Sequence, residues 1–214
     1  MRASLVVASL LVLPALARAQ EGVSPGPPPA APAPAAPVDP TVHRHLGFFF
    51  HLDVGGGYFT TSTSQSGVSL SASGAAMLLS LAVGGAVGED WILAGELWGT
   101  AAPSPGGSIA SGATIGLSGV GLNVTHYFMP LNLFLSLTPS ATVVSIDTGN
   151  GGTAGRTELG FGAKVALGKE WWVGDHWGLG VALQASFGIN KDQGTAPPTW
   201  TSFGGGVVFS ATYN

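Results

Sequence analysis

Residues 177–190 read WGLGVALQASFGIN, with Trp177, Leu179, Val181, Leu183, Ala185, Phe187 and Ile189 alternating with small or polar partners. A period of two is that of a β-strand with one apolar and one polar face. The apolar face is uncharged and long. About 11–13 residues tilted roughly 40–45° cover about 25–30 Å, the thickness of a bilayer's hydrocarbon core. The same pattern recurs about eight times between Phe48 and the C-terminus, so the expected fold is all-β: an eight-stranded antiparallel up-and-down transmembrane β-barrel.

The N-terminus speaks to the compartment. Met1 and Arg2 give a basic start, Leu5 to Leu16 is apolar, and Ala17, Arg18 and Ala19 form the small-x-small pattern cut by signal peptidase. A membrane-spanning helix needs about 20 residues, so this run is expected to be a signal peptide (residues 1–19) cleaved before Gln20. Residues 20–45 are rich in Pro and Ala and are expected to form a disordered or polyproline tether. The chain has no Cys, which excludes a disulfide framework and thiolate metal sites.

Residues 46–214 form the barrel domain. The alternation predicts strands at Phe48–Thr60, Ala75–Val87, Trp91–Thr100, Thr114–Phe128, Leu131–Ile146, Thr157–Gly168, Trp177–Asn190 and Thr201–Tyr213. The connections alternate in length. Val87–Asp90, Phe128–Leu131 and Lys169–His176 are short. Thr61–Gly74, Ala101–Ala113, Asp147–Arg156 and Lys191–Trp200 are longer and rich in Ser, Thr, Gly and Asn. Outer-membrane barrels keep short turns in the periplasm, which puts both termini there.

The outward phase collects Phe48, Phe50, Leu52 and Val54, then Met77, Leu79, Leu81 and Val83, and continues through Val143 to Phe209 with no mid-strand charge. The inward phase carries His51, Asp53, Ser80, Glu96, Asn123, Thr138, Lys164, Gln184 and Ser210. A soluble barrel would have the opposite arrangement. Trp91, Tyr127, Trp171, Trp172, Trp177 and Tyr213 are expected to form an aromatic girdle at the periplasmic rim, with Tyr58, Phe59, Trp98, Trp200 and Phe203 near the other rim.

Charges inside a membrane must pair. Lys164 is therefore expected to bridge Asp53 and Glu96, with His51 and Gln184 close by. Such a cluster is either an ion-pair plug or the gate of a narrow conduit. Pro139, which interrupts the ladder of the fifth strand, would suit an apolar gap for lateral release. Other apparent motifs carry no chemistry. Asp147, Thr148 and Gly149 follow two apolar residues as in aspartic proteases, but a second carboxylate-bearing copy is missing. His43 and His45 read as a solvated pair in the tether rather than a metal site. No glycine-rich phosphate loop opens a helix, and seven Lys and Arg are too few for a nucleic-acid partner. No cofactor or metal is expected.

Residues 46–214 resemble the small eight-stranded outer-membrane barrel superfamily, which includes the outer membrane protein A transmembrane domain and adhesin-like small barrels. The stretch Gly168 to Gly180, GKEWWVGDHWGLG, is similar to a turn of Gram-negative outer-membrane barrel proteins. The resemblance implies a porin-like cell-envelope protein in the bacterial outer membrane, in contact with its lipid and assembled as a monomer. It also implies that the barrel assembly machinery reads the C-terminal strand. Here the chain departs from the family, because Tyr213 is followed by Asn214 rather than ending the chain. Family members serve as anchors, adhesins, conduits or, rarely, lipid A modifying enzymes. His51 and His126 map toward the periplasmic rim and His176 to a turn, which speaks against a hydrolase at the outer leaflet. The expected function is non-enzymatic, structural or surface-interacting. The alternative is a narrow passive conduit for small or apolar solutes.

Overall fold

The computed structural model describes residues 44–65, 67–108, 112–148 and 152–214. The predicted signal peptide and the tether up to His43 lie outside the described residues. Ten strands follow one another: β1 (Phe48–Gln65), β2 (Val68–Gly88), β3 (Trp91–Pro103), β4 (Gly106–Gly107), β5 (Thr114–Phe128), β6 (Leu133–Thr148), β7 (Gly152–Arg156), β8 (Gly160–Trp172), β9 (Trp177–Lys191) and β10 (Thr199–Tyr213). Eight are long, and each pairs antiparallel with its neighbours until β1 closes on both β2 and β10. The short β4 and β7 are additions on β2 and β6 at the long-loop end.

The register defines the barrel's geometry. Phe50 pairs Val83, Val83 pairs Gly95, Gly95 pairs Leu122, and Leu122 stands opposite Pro139. Pro139 pairs Ala163, then Phe187, Phe203 and finally Thr60, so one circuit returns to β1 ten residues above its start. Eight strands with that stagger, about 3.3 Å per residue and about 4.8 Å between strands tilt by about 40°. The outward run from Trp177 to Ile189 then spans about 30 Å along the barrel axis, matching the hydrocarbon core.

Burial follows the strand alternation. Leu52, Val54, Leu79, Leu97, Val120, Leu137, Phe161, Leu183 and Phe209 are all exposed on the outside, while Asp53, Ser80, Glu96, Thr138 and Lys164 are buried inside. Among the described residues, outward charges in strands occur only toward the strand ends, at Lys169, Asp147, Arg156 and Lys191. An apolar belt of this size must meet lipid rather than water.

Several strands run further than the sequence pattern predicts. Thr61–Gly74 is not a loop: β1 and β2 continue as a paired ribbon to Gln65 and Val68, where Gly67 turns the chain at φ 83°. Thr60 to Ser64 and Ser69 to Ser73 satisfy each other's backbones and extend the sheet above the belt. At the other end β8 reaches Trp172, so Glu170 belongs to a strand and not to the turn.

The lumen is also less polar than expected. Phe49, Leu78, Ile92, Tyr127 and Phe134 form an apolar layer toward the short-turn end. Phe59, Trp98, Ile115, Leu117 and Trp200 form another toward the long loops. Tyr127, Phe59, Trp98 and Trp200 therefore lie inside the barrel and not in the rim girdles, because each falls on the inward parity of its strand. Trp172 shares the inward parity of β8, half-buried at the rim. Trp91, Trp171 and Trp177 do face outward at the short-turn end, with Tyr213 edge-on to Trp177 at 5.2 Å between centroids. Val143, expected in the outward belt, is buried where the Arg156–Leu159 bulge covers it.

Candidate functional site in the barrel lumen

Between the two apolar layers lies a band of ionised and hydroxyl side chains. β1 brings His51 and Asp53 inward, β3 brings Glu96, and β8 brings Lys164 and Glu170, all buried. Lys164 Nζ lies 3.4 Å from Asp53 Oδ2 and forms an ion pair with Glu96 Oε1. It also donates to Ser80 Oγ at 3.1 Å, and Ser80 donates to Asp53 at 2.7 Å. Glu96 Oε2 accepts from Asn123 at 3.1 Å and from the Thr138 hydroxyl. Thr125 in turn donates to Asn123 at 2.7 Å, fixing its amide.

The second centre of this band is Glu170. Its Oε1 accepts the Thr212 hydroxyl at 2.6 Å, and its Oε2 accepts Tyr127 Oη at 3.3 Å. His51 links the two halves: Nε2 is 2.9 Å from Asp53 Oδ1, and Nδ1 is 2.7 Å from Thr212 Oγ1. Because the Thr212 proton goes to Glu170, its oxygen accepts from His51, so both ring nitrogens donate. That is the arrangement of an imidazolium. Three carboxylates then face two cations, and the neutral donors Ser80, Asn123, Thr138, Tyr127 and Thr212 offset the remaining charge.

The structure thus brings together Asp53, Glu96, Lys164 and His51. Gln184 is buried in the same lumen, yet its amide makes no hydrogen bond to another described residue. Glu170 and Tyr127 are members the sequence reading missed. Their signal was parity: with β8 continued by four residues, Glu170 falls on the same face as Lys164.

The short-turn mouth is closed by the segment before β1. His45 is 1% exposed and stacks on Tyr127 with ring centroids 3.4 Å apart. Its Nε2 donates to Asn132 Oδ1 at 2.8 Å, and Asn214 Nδ2 donates to its Nδ1 at 2.8 Å. Burial lowers the His45 pKa below its ordinary value of 6.5, against the opposing pull of its hydrogen bond to Asn132. His45 is therefore a buried stopper and not the solvated residue expected. Its neighbour Arg44 pairs with Glu89 of the β2–β3 turn, and Gly47 O accepts Ala86 N at 2.8 Å.

The barrel wall has no opening at Pro139. The ladder lapses over Leu122–Pro139 and Asn123–Thr138, but it resumes in the same register, with Gly121–Ser140 on one side and Val124–Leu137 on the other. Gly121 lets the strands approach so closely that a Cβ would sit 2.1 Å from Pro139 O. The void beside the ionic band measures about 10 Å³, room for one water and no substrate. Among the described residues no group of His, Asp or Glu is arranged to hold a metal.

An uncharged belt outside, a packed ionic band inside and eight long strands in a closed ring define a small membrane-spanning β-barrel. Solved structures similar to this chain include neisserial surface protein A, at 16% identity and TM-score 0.48, covering 78% of this chain and 96% of that one. The attachment invasion locus protein of Yersinia pestis, bound to the heparin analogue sucrose octasulfate, is similar at 11% identity and TM-score 0.39, covering 77% and 99%. The outer membrane protein OprG from Pseudomonas aeruginosa is similar at 11% identity and TM-score 0.41, covering 80% and 98%. No protein-family model matches the chain, and no curated protein matches it.

Proposed function

We propose that this chain is a non-enzymatic outer-membrane barrel whose lumen is a structural plug and whose working surface is its long-loop end. The observation that carries this reading is the ionic band itself, with each of its charged groups paired or hydrogen-bonded to another described residue and a void of only about 10 Å³ beside it. Above and below it, apolar side chains fill the bore. Ions crossing such a lumen would have to break paired groups in a low dielectric, which costs several kcal/mol.

The ribbon of β1 and β2 supports a surface role. It projects Thr60, Ser62, Ser64, Ser69 and Ser71 into solvent as an exposed, uncharged, hydroxyl-rich face. A cleft of about 640 Å³ lies between that ribbon and the β9–β10 loop at Ala196–Thr199. Its Ser and Thr hydroxyls can each donate and accept a hydrogen bond, which suits contact with a polar surface molecule. Residues 44–47 and the C-terminus then sit at the periplasmic mouth, with His45 as its stopper.

Planar-bilayer recording of the purified, folded protein tests the reading. Silence at high salt is expected for the wild type. Steady single-channel steps would overturn the plug and restore the narrow conduit.

A further inference from the structure

The outer wall is not uniform. On β3 and β5 the outward positions toward the long loops are Gly99, Ala101, Gly116 and Ser118, with Ala141 following on β6. They are neighbours in register: Gly99 pairs Ser118, Ala101 pairs Gly116, and Ser118 pairs Val143. Small outward residues also occur at Gly56, Gly95, Ala163, Ala185 and Gly205, in a belt otherwise made of Leu, Val, Ile, Phe and Met, but the group on β3, β5 and β6 is walled in by large side chains. The small side chains therefore form the floor of a trough of about 750 Å³.

Its walls are large and apolar. Met77, Leu79 and Leu97 stand on one side, and Leu159, 75% exposed, stands on the other. The second wall exists because the chain bulges between Arg156 and Gly160 instead of continuing the β6–β8 ladder. Thr157 pins that bulge by accepting Val144 N through its hydroxyl at 3.0 Å and donating its own amide to Val144 O at 3.0 Å. Arg156 lines the upper end, opposite Ser145, exposed and without an ion pair to any described residue.

An apolar channel in the membrane wall, capped at its water end by a free guanidinium, has the layout of an amphiphile. The fork of an arginine suits two oxygens of a phosphate. We infer that the trough binds one acyl chain of the phosphorylated glycolipid of the outer leaflet, lipid A, with Arg156 holding its phosphate. The inference rests on the outer-membrane reading above, which puts the long-loop end at the outer leaflet. Ordered lipid in the trough would fill the gap that small side chains leave in the belt and would replace solvent around the bulge. Docking there needs no motion of the barrel.

Native mass spectrometry of the full, folded protein in mild detergent, with added diphosphorylated lipid A, tests it. The wild type is expected to hold one lipid A. Arg156→Gln should lower the bound fraction about tenfold or more, the scale of one charge-assisted contact. Ser118→Leu with Ala141→Leu should fill the floor and abolish binding with Arg156 intact. Lys191→Gln, which removes another exposed cation at the same end, should leave binding unchanged. Unheated gel mobility establishes that each variant is folded. Equal binding by wild type and Arg156→Gln, an equal loss from Lys191→Gln, or equally tight binding of phosphatidylglycerol would each overturn the site. A folded barrel that fractionates with outer membranes yet takes no lipid A would refute the site alone. A chain absent from those membranes would refute the reading beneath it.

Discussion

Replacing Lys164 by Met shortens the side chain by one atom and deletes its charge. Lys164 is 1% exposed and is the ion-pair partner of Asp53 and Glu96 at once. Its loss leaves two carboxylates in the lumen, but they are not equally stranded. Asp53 keeps His51 at 2.9 Å and the Ser80 hydroxyl at 2.7 Å. Glu96 keeps only the neutral donors Asn123 and Thr138. Breaking a buried pair by removing one partner costs about 3–5 kcal/mol. Most of that should reside at Glu96. Lys164→Met with Glu96→Gln is therefore expected to recover more stability than Lys164→Met with Asp53→Asn, and the triple variant most of all. Urea unfolding of the barrel in lipid vesicles, followed by gel mobility without heating, reads each difference. A single Lys164→Met variant within about 1 kcal/mol of wild type would refute the argument, as would equal rescue by the two carboxamides.

Three further outcomes follow from the fold. The chain has no native Cys, so Gln193→Cys in the β9–β10 loop should react with an impermeant maleimide on intact cells, while Asp175→Cys in the β8–β9 turn should react only after lysis; the reverse pattern would invert the topology. His45 is held neutral by burial, so protonation favours the undocked segment: its contribution is full above its ordinary value of 6.5 and shrinks as pH falls from there toward the lowered folded value. Hydrogen exchange at residues 44–47 should accelerate over that window in the wild type but keep a flat profile in His45→Phe, and a flat wild-type profile would count against the stopper. Gly57→Val should block closure of the β1–β10 seam, because a Cβ there would lie 2.0 Å from Gly205 O, whereas Gly88→Ala meets nothing closer than 4.0 Å and should fold normally; a folded Gly57→Val barrel would show that the seam can spread.

The barrel was legible because its rule is local. Parity along Trp177–Asn190 or Thr114–Phe128 needs no knowledge of other strands, and β5 begins and ends where alternation places it. Lys164, Asp53 and Glu96 were legible for the same reason, since inward parity and the cost of unpaired charge bring them together. What parity could not give was strand length. Ser-rich Thr61–Gly74 has the composition of a loop, yet it pairs because each edge finds its complement in the other. Glu170 was hidden by the same error at the opposite end. His45 was hidden by a different one: a tether has no period, and only the stacked Tyr127 and the amides of Asn132 and Asn214 make that position a buried one.

The ionic band has a bearing on how the ring comes to exist at all. Its members sit on β1, β2, β3, β5, β6, β8 and β10, so of the long strands only β9 contributes none. No hairpin can assemble more than a fragment of it. An open sheet with Asp53 and Glu96 in place but β8 not yet docked carries orphaned charge on a face that has left water, and one lacking β10 leaves Glu170 without Thr212. Each partial ring is thus penalised relative to both the unfolded chain and the complete one. The last strand to arrive completes the neutralisation, which makes closure a cooperative, all-or-none event and disfavours persistent half-barrels in the bilayer.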